Sequence, residues 1–130
     1  MPRRAVGTFE VTLNPLPFSS ESSLLGRMSI DKQFHGDLEG VSKGEMLSAM
    51  TDVKGSAGYV AIERVSGALH GRTGTFVLQH SATMTRGTPS LTITVVPDSG
   101  TDQLTGLSGS LGIVIEAGKH SYEFEYTLPE

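Results

Sequence analysis

The chain has 130 residues, a formal net charge of −4 and no cysteine. That length fits a single domain, residues 1–130, with a core of its own, and the lack of thiols excludes disulfides and thiolate chemistry. The acidic balance and scattered basic residues leave no stripe to neutralise phosphates, so no nucleic-acid partner is expected.

No apolar run approaches the ~20 residues of a membrane span, so no membrane partner is expected either. Met1-Pro2-Arg3-Arg4 has basic residues with no apolar stretch behind them. This predicts no signal peptide and, with the cysteine-free composition, a cytoplasmic location.

Eight segments carry strand-like patterns, punctuated by Gly, Pro, Asp or Ser. The first covers Ala5–Leu13, alternating Phe9, Val11 and Leu13 against Glu10 and Thr12, and Asn14-Pro15-Leu16-Pro17 is expected to end it. A polar Ser/Glu stretch follows as a flexible loop. The second covers Leu25–Phe34, with Met28, Ile30 and Phe34 on one face. The third runs from about Asp37 to Met50, where a short helix over Lys43–Met50 competes because Glu45-Met46-Leu47 are good helix formers. Further strands are expected over Tyr59–Leu69, Thr75–Met84, Ser90–Val96, Leu107–Ala117 and His120–Leu128.

Turn geometry tests this pattern, because a two-residue loop fixes which residues face each other. With Gly118-Lys119 as the last loop, Ile115 faces Tyr122 and Ile113 faces Phe124. With Arg86-Gly87 as loop, Val95 faces Leu78 and Ile93 faces His80. With Gly71-Arg72 as loop, Leu78 faces Val65 and His80 faces Glu63. All three turns place one apolar surface across neighbouring strands. Closing such a meander hides both edges, so the expected fold is all-β: a closed eight-stranded antiparallel barrel, lipocalin-like in logic, with a two-sheet sandwich as the alternative.

The register places Glu63 and His80 together in a mostly apolar lumen. A carboxylate–imidazole pair there can act as general acid or base, and its plainer reading is a structural ion pair. Lys32 shares the Met28, Ile30 and Phe34 face. It is placed to bind an anionic group, to pair with Glu39 across the His35-Gly36 turn, or to sit at the rim with its ammonium in water. Tyr59, Leu78, Ile93, Tyr122 and Tyr126 complete the candidate ligand-binding set, and Met28, Met46, Met50 and Met84 offer an adaptable wall. His35, His70, His80 and His120 have no ligand spacing, so no metal site is expected, and no cofactor motif is present. Asp98 and Ser99 read as residues that cap backbone groups at a turn.

Gly7-Thr8-Phe9-Glu10-Val11, Gly58-Tyr59-Val60-Ala61-Ile62-Glu63-Arg64-Val65 and Gly71-Arg72-Thr73-Gly74-Thr75-Phe76-Val77-Leu78-Gln79-His80 form a distinctive combination. With Val95-Val96-Pro97-Asp98-Ser99-Gly100-Thr101 and Leu104-Thr105-Gly106-Leu107-Ser108-Gly109, the chain resembles the bacterial domain-of-unknown-function family numbered 3224. The resemblance implies an allene oxide cyclase-like barrel with an internal cavity, and a homodimer. It implies no activity. Three readings stay open: a cofactor-independent cyclase or isomerase using Glu63 and His80, a carrier for a small hydrophobic molecule, and a structural barrel with a filled core.

Overall fold

The computed structural model describes residues 2–17 and 24–129. The Ser/Glu stretch expected as a loop lies outside these. Eight strands follow in chain order: β1 (Arg3–Leu16), β2 (Leu25–Gly36), β3 (Leu38–Met50), β4 (Ala57–Leu69), β5 (Arg72–Thr85), β6 (Thr88–Val95), β7 (Ser108–Glu116) and β8 (Lys119–Thr127). Each pairs antiparallel with the next, and β1 pairs with β8 from Arg3–Tyr126 to Phe9–His120, so the sheet closes into a meander barrel. Lys43–Met50 is strand, not helix, and pairs with both β2 and β4.

Three hairpins turn on two residues with positive φ: His70-Gly71, Arg86-Gly87 and Ala117-Gly118. This is the turn whose twist matches the strands, and glycine takes its second position each time. The sequence reading placed Gly71 and Gly118 first in their turns, which shifts each register by two. Glu63 therefore faces Leu78, and His80 faces Ala61. Likewise Tyr122 faces Ile113. A shift of two preserves the faces, so the inward set is as expected. At Arg86-Gly87 the expected register is found unchanged.

β1 also runs on past its expected end, with Pro15 opposite Met28. Its second edge is paired to β8 only as far as Phe9, so a residue without an N–H sits there at no cost to a ladder.

The lumen is filled at one end. Leu38, Leu69, Phe76, Leu78, Phe124 and Tyr126 are buried there, with the Phe76 and Phe124 rings stacked at 5.8 Å. The segment after β6 seals this end: a short 3-10 helix, Asp102–Leu104, buries Leu104, and Leu107 follows it into the core. The Ser99 hydroxyl accepts from Val77 N–H at 3.0 Å and the Thr101 hydroxyl from Thr75 N–H at 3.0 Å, the backbone-capping role expected of Ser99.

At the other end the same inward face is open. Leu13, Met84 and Leu91 are exposed, Met50 is 59 % exposed and Ile115 62 %.

Strands come close where β3 meets β4. A Cβ on Gly67 would stand 2.1 Å from the Glu39 carbonyl oxygen and 2.6 Å from the Gly40 Cα. Gly67→Ala should therefore cost about 3 kcal/mol of unfolding free energy by urea denaturation. Gly58→Ala, whose nearest neighbour would be 3.5 Å away, should change stability by less than about 0.5 kcal/mol.

Candidate functional site

Four polar side chains from four strands meet in the middle of the lumen. Glu63, on β4 between Ala61 and Val65, is fully buried. Gly44 on β3 lies opposite it, and a Cβ there would come within 2.6 Å of the Glu63 Cα. Glu63 Oε1 accepts from the Ser42 hydroxyl at 2.7 Å. Its Oε2 accepts from Lys32 Nζ at 2.8 Å and from His80 Nε2 at 2.5 Å. Lys32 is itself 7 % exposed and also lies 5.1 Å from the centroid of the Phe9 ring. It pairs with Glu63 and not with Glu39, whose carboxylate accepts from Gly36 N–H, and its ammonium is not at a wet rim.

Burial alone would push the Glu63 carboxyl up. The His80 hydrogen bond, the Lys32 charge and hydrogen bond, and the Ser42 hydroxyl outweigh it and hold the group at about 2. An ionised carboxylate only accepts, so His80 Nε2 carries the proton in this contact. A neutral His80 then has its lone pair on Nδ1. Glu63 is too weak a base to take protons near neutral pH, and its chemical effect is to fix an imidazole and an ammonium in place.

Above this cluster lies a recess of about 260 Å³. Lys32 and His80 line it, with Tyr59, Ala61, Met46, Leu13, Leu91 and Ile115 among its apolar walls. Burial first, then the Glu63 charge, raise the Tyr59 phenol, so it stands there as a neutral donor. A second, almost wholly apolar hollow of about 330 Å³ shares Met46, Tyr59 and Leu91 and adds Met50, Met84 and Pro89.

Of the residues proposed from sequence, the fold brings Lys32, Glu63 and His80 together, with Tyr59 beside them. Leu78 and Ile93 are packed into the core. Tyr122 and Tyr126 point their hydroxyls elsewhere. That of Tyr122 accepts from Leu38 N–H at 2.8 Å and lies 3.0 Å from the His35 carbonyl, and that of Tyr126 contacts His70 Nδ1. These contacts tie β8 to the strand ends across the barrel.

Sequence reasoning missed Ser42, whose only signal was its place between Gly40 and Gly44 on the inward face. It also missed His120, which lines the recess although it stands near a turn. Among the described residues, no three His, Asp or Glu side chains converge to hold a metal ion, and no helix is long and apolar enough to cross a membrane.

Residues 5–126 match the family described as Protein of unknown function (DUF3224). The chain belongs to this family. A crystal structure of a protein with unknown function from the DUF3224 family, from Shewanella oneidensis MR-1, is 51 % identical. It superposes with a TM-score of 0.96, over 100 % of this chain and 99 % of that one. No curated protein matches.

In this DUF3224 barrel the depressed Glu63 pKa ties stability to pH. The folded value lies below the ordinary 4.5, so its contribution is complete above pH 4.5 and is lost as pH falls towards 2. The loss should be on the order of 3 kcal/mol. The double variant Glu63→Gln/Lys32→Met removes both charges together and so avoids a buried unpaired ammonium. Urea denaturation between pH 6 and 2 should show this acid-dependent loss in the wild type and a flatter profile in the double variant. Equal slopes would show that Glu63 is not held ionised.

Proposed function

We propose that the chain binds a small, mainly apolar molecule in the open half of its lumen, with the molecule's polar end towards Lys32 and His80. One observation carries this reading. Leu13, Met50, Met84, Leu91 and Ile115 occupy inward positions yet remain exposed, around recesses of about 260 and 330 Å³. Water against so much concave apolar surface is unfavourable, and a fitting ligand that displaces it gains the free energy of burial. A few polar groups at the floor of an apolar pocket are the usual means of fixing orientation. The cytoplasmic location and the homodimer implied by the sequence belong to the same proposal and rest on composition and resemblance alone.

Catalysis is a second reading, favoured by the orientation of His80. A carboxylate that holds Nε2–H fixes the ring and leaves Nδ1 as its basic atom, so His80, not Glu63, would exchange the proton in an isomerisation or cyclisation.

Isothermal titration with 2-octanone tests binding. Ala61→Leu fills the recess and should weaken it at least tenfold while circular dichroism stays native, and equal affinity would place the ligand elsewhere. In D2O, protein-catalysed deuterium exchange α to the ketone, lost in His80→Gln, would favour the enzyme. Binding without exchange would favour the carrier.

A further inference from the structure

The barrel is not sealed evenly. β6 and β7 share one register pair, Thr94–Ser110, whereas the other neighbours share at least seven. Continued towards the mouth, that register would set Thr92 opposite Gly112 and Ser90 opposite Val114, and no such pair forms. The sequence of β6 shows why the seam can part. It is the shortest strand, and Pro89 offers no N–H to a ladder. Its outward positions hold Thr88, Ser90 and Thr92, polar side chains that suit an edge left to water. On the inward side, Leu91 of β6 and Ile113 and Ile115 of β7 all line the recess that holds Lys32 and His80. The unpaired half of the seam therefore flanks the candidate site.

Resting on the binding function proposed above, we infer that the β6–β7 seam is a lateral portal, and that the ligand is an elongated, uncharged molecule: an unbranched alkyl chain with a carbonyl head. The head lies at Lys32 and His80, and the chain passes between Leu91 and Ile115 to the outside.

The shape follows from volume. At about 30 Å³ for a water-sized group, a recess of 260 Å³ is full at roughly nine heavy atoms. A longer chain must leave it between apolar walls, and Leu91, Ile113 and Ile115 offer such walls along the unpaired seam. The head follows from charge and donors. Lys32 is already neutralised by Glu63, so a further anion would stand as an uncompensated buried charge. Beside the His80 Nδ1 lone pair, the groups left over include donors: two N–H of the Lys32 ammonium not spent on Glu63 Oε2, and the Tyr59 hydroxyl. A neutral carbonyl oxygen accepts from these without adding charge.

The test is titration calorimetry with 2-hexanone, 2-octanone, 2-decanone and 2-dodecanone, with dodecanoate as the charged comparison. The protein carries Thr92→Cys and Gly112→Cys, studied reduced and oxidised. Both positions point outward, and a Cβ on Gly112 has no neighbour nearer than 3.9 Å, so a crosslink between them, confirmed by mass spectrometry, leaves the recess unfilled.

In the reduced form, affinity should rise up to fourfold per methylene as far as 2-dodecanone, with dodecanoate at least tenfold weaker than the ketone of equal length. Oxidation should leave 2-hexanone unchanged and exclude 2-dodecanone. If the short ketones bind and the long ones bind equally, or are excluded equally, in both forms, the portal is overturned while the binding function stands. If dodecanoate binds as tightly as 2-dodecanone, the uncharged head is overturned. If no ketone of any length binds, the binding function fails and the portal with it.

Discussion

A carboxylate with no access to water must find its solvation inside the protein, and Glu63 finds it in three donors from three other strands. Taking one such charge out of water costs several kcal/mol, so the fold tolerates it only with Ser42, Lys32 and His80 in place. Each of those side chains is thereby fixed. Lys32 must reach across the lumen from β2, His80 must present Nε2, and Gly44 must stay without a side chain so that β3 can approach. The register of β2 through β5 is bound to this one arrangement. A slip of one residue in any of these strands would turn a member of the cluster out to solvent.

The cluster also divides the barrel into two halves of different character. Below it, aromatic and aliphatic side chains pack to the closed end, and Leu104 and Leu107 finish the seal. Above it, β1 through β5 run on past the ends of their shorter partners, so inward apolar residues meet water instead of one another. An eight-stranded barrel has room for packed side chains or for one small ligand. Here the lower half takes the first course, and the upper half is shaped for the second. The unpaired half of the β6–β7 seam lies on this open side of the cluster.

Much of this was legible in the sequence because alternation survives errors in detail. Phe76, Leu78, His80 and Ala82 share a face whether the turn falls at His70 or Gly71, and so Glu63 and His80 were placed in one lumen even with the hairpin misread by two. What could not be read was which level of the lumen each inward residue occupies. Tyr122 and Tyr126 carry the same signal as Tyr59, yet they lie in the packed half because β8 crosses it there. Lys32 looked like a rim residue, since nothing local shows that a strand two places away in chain order supplies its counter-charge. Pro15 looked like a terminator, because a sequence does not show which edge of a strand lacks a partner. Each miss concerns long-range placement, which composition and periodicity do not encode.

The most direct test of a barrel filled below and receptive above is to map a bound ligand. Protein labelled with 15N-histidine and 13C-methyl isoleucine can be titrated with 2-octanone and followed by NMR. The imidazole signals of His80 and His120 and the methyls of Ile30, Ile113 and Ile115 should move together along one saturable curve. Ile62, outside the barrel, and His70, at its closed end, should stay still. Movement confined to Ile62, or no saturable change at all, would contradict the account and leave Glu63, Lys32 and His80 as the polar keystone of a structural barrel.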